Sequence, residues 1–221
     1  MRISTFLSSA CWVSSVLAAF DLNRAGAALK APAGDSFASV SGTFTVPNLS
    51  GTNRLSIWVG LGDSLEQTYV LGGGILFNRT YSSWAAFFPG QATDTTSQVP
   101  VANGNQITVT VTAQASGGTV TIENKTQNRR ATQTIAAPAG ADPSALTAAD
   151  WWVQAYQVVP GELVKTPSYG TVSFTSCTTT TKSGTSVPIS NAGRYEIQGT
   201  SGQMYSSTTV SGTGVSVRRT G

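Results

Sequence analysis

The sequence predicts an all-β protein, built as an antiparallel sandwich or barrel, on three observations. Charged residues make up only 10% of the chain, 23 residues are glycine, and Ser, Thr and Val are abundant, a composition that favours strands and turns over helices. Several short runs alternate apolar and polar residues, as where Ile107, Val109 and Val111 interleave with threonines. Turn signals separate the runs at short intervals, which is typical of sandwiches and barrels.

The strand-like runs follow one another along one domain. A chain of 221 residues is within the usual size of a single all-β domain, and no long linker divides it. We interpret residues 136–149 as one loop between two strands, and we expect a monomer. The predicted strands are FASVSGTFTVP, RLSIWVGLG, TYVLGGGILF, YSSWAAFFPG, NQITVTVTAQ, GTVTIENKT, DWWVQAYQVV, GTVSFTS, RYEIQ and GVSVRR.

The first residues predict a secretory signal peptide, residues 1–19, ahead of a domain at 20–221. Arg2 gives a positive start, an apolar stretch follows, and small residues at Ala18 and Ala19 offer a cleavage site. A membrane anchor is a weaker interpretation, because the stretch is short, rich in serine and lacks a basic flank. The sequence therefore predicts a secreted, extracellular protein with no membrane association after the signal is removed.

Cysteine usage and three sequons agree with secretion. Cys11 lies inside the predicted signal, so Cys177 is expected to be unpaired in the mature chain and to act as a small buried apolar residue. Asn48, Asn78 and Asn124 each begin an N-glycosylation sequon. We therefore expect a glycoprotein that relies on core burial and not on an intramolecular disulfide.

The absence of histidine from the sequence excludes several chemistries. Ser-His-Asp and Cys-His nucleophile systems are ruled out, as are imidazole metal sites, and we expect no metal and no cofactor. The net charge of +3 is dispersed, with no basic cluster able to follow a phosphate backbone, so nucleic acid is not expected as a partner. A hydrolase built from this chain must use carboxylates, amides, Lys or Tyr.

A series of motifs resembles the glutamic peptidases, or eqolisins, which are secreted proteins found mainly in fungi. The resemblance covers essentially the whole mature chain and implies a concanavalin-A-like, jelly-roll type β-sandwich with a substrate groove on one curved face. It also implies an acid endopeptidase in which a glutamate activates water and a glutamine amide stabilises the oxyanion. In chain order the motifs are NRAGAAL, FASVSGTFTVP, SIWVGLG, YVLGGGILF, SSWAAFFPG, GTVTIENKT and ADWWVQAY.

Both catalytic positions implied by this resemblance carry other residues. The family glutamine belongs to a motif similar to Ile-Leu-Gln-Thr-Gly-Val-Asp-Phe, and the matching stretch 70–77 has Gly72 at that place. The family glutamate belongs to a motif similar to Glu-Trp-Ile-Val-Glu-Asp, and the matching stretch 150–155 has Gln154. An amide has no useful basicity, and loss of a general base costs about 10²- to 10⁴-fold in rate. We therefore expect a catalytically inactive pseudoenzyme.

Acidic residues near the family dyad are replaced as well. Gly62, Leu76 and Ala86 stand where the resemblance implies acids. Asp63 lies beside one of these places, but a shift of one residue on a strand points a side chain to the opposite face, so we expect it in a turn. Gln67 is expected in a solvated loop or at a strand end.

Aromatic residues remain as the candidate binding residues. Alternation places Trp152, Gln154 and Tyr156 on one face of a strand, and Trp84 and Phe88 on one face of another. Trp58 matches the family tryptophan at the groove. Such a neutral aromatic groove suits a peptide, a protein segment or a glycan, although each ring could equally be sandwich core.

Three functions therefore remain open on the sequence. The first is a secreted glutamic-peptidase-like protein that has lost catalysis and binds peptide or glycan in an aromatic groove. The second is an active acid endopeptidase that uses another carboxylate, which would have to reach the groove centre. The third is a carbohydrate-active enzyme on the same sandwich, which would need paired carboxylates across the groove.

The signal-peptide interpretation yields a first prediction. The secreted protein should begin near Ala19 or Phe20 and contain one cysteine, because cleavage after the small residues removes Cys11. Intact-mass measurement combined with thiol labelling checks both points. A mature start well beyond residue 30 would contradict the predicted cleavage site.

Overall fold

The computed structural model describes residues 19–156, 162–163 and 165–221. Apart from Ala19, the predicted signal peptide lies outside the described residues. Strands dominate the described chain, with two 3₁₀ helices at Pro143–Ala145 and Ile189–Asn191. The strands are β1 Ala19–Asp21, β2 Arg24–Lys30, β3 Phe37–Thr45, β4 Leu55–Gly62, β5 Val70–Asn78, β6 Thr80–Phe88, β7 Thr93–Asp94, β8 Gln106–Gln114, β9 Gly117–Asn124, β10 Arg129–Ala136, β11 Ala148–Ala155, β12 Thr171–Thr181, β13 Gly193–Ile197, β14 Ser206–Ser211 and β15 Gly214–Arg219.

Two sheets pack face to face as a sandwich. The first has eight strands in the order β1-β13-β2-β11-β4-β5-β6-β7, and the second has seven in the order β10-β9-β8-β3-β12-β15-β14. The neighbouring strands are antiparallel, except that β1 runs parallel to β13. The eight-stranded sheet is the one that carries the candidate site.

The main core lies between the two sheets and follows the alternation in the strands. Ile107, Val109 and Val111 of β8 are fully buried, while their threonine neighbours point to the other face. From the opposite sheet, Trp151 enters the same core and donates its indole N–H to the carbonyl of Ser41 at 3.1 Å. A Cβ on Gly42 would lie 2.8 Å from this ring, so the glycine leaves the space that the indole fills.

A second, smaller apolar cluster lies on the outer face of the eight-stranded sheet. Its buried members are Ala28, Trp58, Val70 and Trp152, with Trp84 and Tyr195 packed against them. Because Trp151 and Trp152 are adjacent on β11, they point to opposite faces, one into the core and one to this cluster. The sheet is therefore apolar on both faces around β11 and β4.

The predicted all-β sandwich is confirmed, with differences in detail. The strands β1, β2, β7, β10 and β14 were not predicted. The sequences of β10 and β14, RRATQTIA and SSTTVS, contain few large apolar residues. The loop predicted at 136–149 contains the first 3₁₀ helix, which the Asp142 carboxylate caps by accepting from Ser144 N. Asp63 lies in a turn as expected, where its carboxylate accepts a hydrogen bond from Tyr69 N at 3.1 Å.

The structure corrects one of the three glycosylation predictions. Asn48 and Asn78 are exposed, but Asn124 is 0% exposed. Its amide nitrogen donates to the Pro100 carbonyl and to Asn105 Oδ1, each at 2.7 Å. The prediction of Asn124 as a glycan acceptor is therefore wrong for the folded protein, because a sugar would replace one of the two donating hydrogens and the buried nitrogen leaves no space for it.

Neither a membrane span nor a metal cluster is found in the part of the chain that the structure describes. No helix there is long and apolar enough to cross a bilayer. In the same residues, no group of three or more His, Cys, Asp or Glu side chains is arranged to hold a metal ion.

The predicted buried, unpaired Cys177 is confirmed, and its burial raises the pKa of the thiol to about 12. We expect no reaction with a thiol reagent at pH 8 in the native protein, because the thiolate is the reactive form and burial restricts access. The same protein should react in denaturant. Mass spectrometry after labelling measures both states, and rapid native labelling would contradict the structure.

Candidate ligand-binding groove

A groove opens on the outer face of the eight-stranded sheet, with a pocket of about 470 Å³. The strands β4, β5, β6 and β11 form its floor, and residues near β2 and after β6 form its ends. The residues that line it are mostly apolar or amide-bearing: Asn23, Arg24, Ser56, Trp58, Gln67, Val70, Gly72, Leu76, Trp84, Ala86, Phe88, Gly90, Ala92, Gln154, Ala155 and Tyr156.

One row of cross-strand partners organises the groove floor. Gly26, Trp152, Trp58, Gly74 and Trp84 are direct neighbours from strand to strand. A Cβ on Gly26 would lie 2.0 Å from the Trp151 carbonyl oxygen, and one on Gly74 would lie 2.1 Å from the Ile57 carbonyl oxygen. The two glycines therefore allow the main chain of the neighbouring strand to approach closely. The ring centroid of Trp58 lies 6.4 Å from that of Trp152 and 6.5 Å from that of Trp84.

Gly72 lies in the next row, between Gly60 of β4 and Ala86 of β6. No side chain rises from the groove floor at this point. A Cβ here would be 3.0 Å from the Val59 carbonyl oxygen and 3.5 Å from the Trp58 ring. The neighbouring strand would have to move by a few tenths of an ångström before any side chain could be accommodated.

Gln154 lies at the groove wall and contacts the central indole. The Trp58 indole N–H donates to Gln154 Oε1 at 2.8 Å. Since an indole nitrogen can only donate, the amide oxygen must face Trp58, and the remaining polar atom of the amide is the donor Nε2. Gln154 thus offers a hydrogen-bond donor to the groove where a glutamate would offer an acceptor.

The groove brings together most of the predicted site residues. Gly72 and Gln154 both line it, as do Trp58, Trp84, Phe88 and Tyr156. Phe88 and Tyr156 are 54% and 39% exposed, respectively. The assignment of family catalytic positions to Gly72 and Gln154 stays a prediction, since it rests on the sequence match.

Trp152 was predicted to bind ligand, and this is wrong. Its side chain is 1% exposed and does not line the groove. The Arg24 guanidinium covers its ring at 5.2 Å from the centroid, and Tyr195 packs edge-on against it. Alternation placed Trp152 on the correct face, but it could not show that other side chains cover the ring.

Gln67 was predicted to be solvated, and this is also wrong. It is 8% exposed, with a positive φ of 60°, and lines the groove. Its Oε1 accepts a hydrogen bond from Arg24 Nη1, while Arg24 also pairs with Asp21 at 2.9 Å. The contact with Gln67 could not be predicted from local sequence, because it joins residues 43 positions apart, whereas Asp21 and Arg24 are only three residues apart.

Asp150 is the site residue that the sequence analysis missed. It heads the DWWVQA stretch, and alternation places it on the same face as Trp152 and Gln154. It is 0% exposed, and neither carboxylate oxygen has a hydrogen-bond partner among the described residues. Burial raises the pKa of this carboxyl to about 8, and the positive charge of Arg24, with Gln67 and Trp152 nearby, lowers it only in part.

The carboxyl of Asp150 does not line the groove, and neither does any other acid among the described residues. Leu76 and Ala86, two of the three positions where acids were expected to be replaced, are part of the lining. Gly62, the third, lies over Asp150, since a Cβ there would be 3.3 Å from Asp150 Oδ2. The groove therefore offers amides, rings and one arginine, and no carboxylate among its described lining residues.

The two-sheet sandwich with a groove on one sheet is the architecture that the motif resemblance implies for the glutamic-peptidase family, and comparison with known proteins tests that resemblance. A model of the Peptidase A4 family matches residues 22–219. The chain belongs to this family, and the resemblance inferred from the motifs is confirmed.

Individual relatives agree with this assignment. Aspergillopepsin-2 from Aspergillus niger is 29% identical over 226 residues, covering 90% of this chain and 77% of the relative. The structure of scytalido-glutamic peptidase with a peptide-based transition-state analogue superposes with a TM-score of 0.77 at 27% identity, covering 90% of this chain and 98% of the other. SCP-B, an eqolisin solved with the tripeptide Ala-Ile-His, gives a TM-score of 0.75 at 25% identity over the same shares.

The buried carboxyl makes stability depend on pH. Between the ordinary pKa of 3.8 and about 8, folded Asp150 keeps a proton that the unfolded chain releases, so the free energy of unfolding falls as pH rises through this range. The Asp150→Asn variant should lack this contribution, so its free energy of unfolding should fall less steeply as the pH rises. Urea unfolding midpoints measured from pH 4 to 9 test it.

Asp94→Asn is the matched control for this experiment. The hydroxyl of Thr96 holds the pKa of the exposed Asp94 carboxyl below its usual value, so its replacement should leave the loss of stability above pH 4 in place. Equal pH slopes for wild type and Asp150→Asn would contradict a neutral buried carboxyl.

Proposed function

We propose that this protein is a secreted, non-hydrolysing member of the Peptidase A4 family that binds peptide segments in the aromatic groove. The observation that carries the proposal is the lining itself, which retains exposed and half-buried rings but has an amide at 154 and no side chain at 72. Extracellular location follows from the predicted signal peptide, and we propose that the protein acts as a monomer.

The chemistry available in the groove argues against peptide hydrolysis. Water must be deprotonated as it attacks a peptide carbonyl, and the Gln154 amide cannot accept that proton. The oxyanion that forms needs a preorganised donor, whose loss costs about 10²- to 10³-fold in rate, and Gly72 offers no side chain. Asp150 cannot replace the missing base, since it is covered by other residues and neutral below about pH 8.

The rings at the groove rim support retained binding. Phe88 and Tyr156 are among the few large apolar side chains that are exposed, and both lie on this groove. Two relatives have been solved with peptide-like ligands, one with a peptide-based transition-state analogue and one with a tripeptide. Because the present chain belongs to the same family, we propose the same class of ligand for it. An extended peptide would place apolar side chains on the rings and backbone carbonyls near the Gln154 donor.

The two enzymatic alternatives have less support. An acid endopeptidase would need a carboxylate at the groove, and a glycosidase would need two across it. None of the described lining residues is Asp or Glu. Glycan binding remains an outcome of the test below.

We expect pure protein to bind short apolar peptides and to leave denatured protein substrates uncut at acid pH. Phe88→Ala and Tyr156→Ala should each weaken peptide binding by roughly two- to tenfold, the contribution of one aromatic contact. Phe20→Ala is the matched control, since Phe20 is 56% exposed and lies outside the groove. Isothermal titration and a peptide and glycan array give the measurements.

Two results would overturn the proposal. One is acid proteolysis by the unmodified protein that is resistant to pepsin-type inhibitors and abolished by replacing one acidic residue. The other is binding of glycans alone, or binding that neither groove variant changes.

A further inference from the structure

The groove wall formed by β2 and β11 contains an arginine beside an amide donor. Arg24 is the cross-strand partner of Gln154, so their side chains leave the same face of the sheet as direct neighbours. Both line the groove, and Arg24 is the one charged side chain among its described lining residues. A positive charge and an adjacent N–H donor therefore face the same pocket.

The guanidinium is held in place by three partners. Asp21 accepts from Nε at 3.0 Å and pairs with Nη2 at 2.9 Å, Gln67 accepts from Nη1, and Trp152 lies under the plane of the group. These contacts use three of the five N–H groups of an arginine. The side chain keeps 18% exposure, and two of its N–H groups have no partner in these contacts.

Gln154 adds a second donor of fixed orientation. Its oxygen is held by Trp58 Nε1 at 2.8 Å, which leaves Nε2 for the groove. Asp21 occupies the Nε and Nη2 edge of the guanidinium, so a carboxylate ligand would be held by a remaining N–H of Arg24 together with the neighbouring amide N–H of Gln154. An arrangement of this kind prefers a ligand that brings acceptors and a negative charge.

The opposite wall specifies the rest of the ligand. Gly72, Leu76, Ala86 and Phe88 form an apolar surface with little side-chain bulk at its centre. A ligand that spans both walls needs an apolar side chain close to its anionic group. The end of a peptide with an apolar last residue meets this requirement with its backbone carboxylate, whereas the backbone within a peptide chain carries no charge.

We propose that the groove recognises the free C-terminal carboxylate of a peptide, with Arg24 and Gln154 as its donors and the last side chain on the apolar wall. This inference rests on the proposed peptide binding and narrows its ligand from peptide segments to peptide ends. The protein would thus bind the products of proteolysis in preference to intact chains.

The test compares the peptide acetyl-Ala-Leu-Phe as a free acid with the same peptide as a C-terminal amide, by isothermal titration at pH 6. We expect the acid to bind about ten- to a hundredfold more tightly, as for hydrogen bonds to a charged group. Arg24→Gln should abolish the difference. Arg54→Gln is the control, since this exposed arginine is also near Tyr156 but does not line the groove.

A second measurement leaves Arg24 and Gln154 unaltered, so it tests the proposal even if the Arg24→Gln variant does not fold. It follows how the preference for the free acid changes with pH. The titratable groups that face Arg24 are Asp21, Asp150 and Tyr195. Ionisation of Asp150 above about pH 8 places a negative charge beside Arg24, so the preference for the acid should fall between pH 7 and 9. Asp150→Asn should keep the preference over this range.

The outcomes separate the two proposals. Equal affinity for acid and amide at pH 6 overturns carboxylate recognition and leaves peptide binding intact. Failure of both peptides to bind overturns the proposed function itself. An acid preference that Arg54→Gln abolishes and Arg24→Gln leaves unchanged would show a diffuse charge effect and would also overturn the assignment.

Discussion

The groove depends on glycines that let neighbouring strands and indole rings come close together. In the row that runs from Gly26 through Trp152 and Trp58 to Gly74 and Trp84, both glycines lie against a main-chain carbonyl of the next strand. Gly60 leaves the space for the Trp58 ring, since a Cβ there would be 2.8 Å from it. This arrangement fixes the position of Trp58, whose N–H in turn fixes the Gln154 amide. The recognition chemistry of the wall is therefore set by the packing of the floor.

The same packing separates polar groups into two environments. Gln154 and Arg24 reach the groove, whereas Asp150, on the same face of β11, is sealed beneath neighbouring side chains and the loop that carries Gln67. A carboxyl in such a place stays protonated over the acid range, because burial disfavours its charged form. The contribution of Asp150 to stability is therefore largest in acid and is lost as the pH rises toward about 8.

The sequence predicted the β-sandwich and the strand face on which most groove residues lie. Alternation in β8 and β11 fixed which residues point to the core, and the order of motifs identified the family. Alternation within a strand could not show which side chains are covered by residues from other parts of the chain. Trp152 is covered by Arg24 from a neighbouring strand, Gln67 is drawn inward by the same arginine, and Asn124 is enclosed by Asn105 and the Pro100 carbonyl.

The backbone around Gly72 limits how the groove floor could be altered. A β-carbon at position 72 would meet the Val59 carbonyl oxygen at 3.0 Å, while the Trp58 ring would be at an ordinary contact distance of 3.5 Å. The main chain of β4 and not the indole is therefore the nearest obstacle to a side chain here. An engineered floor residue at this position would need a coordinated shift of β4, so redesign of the groove has to begin with the strand spacing.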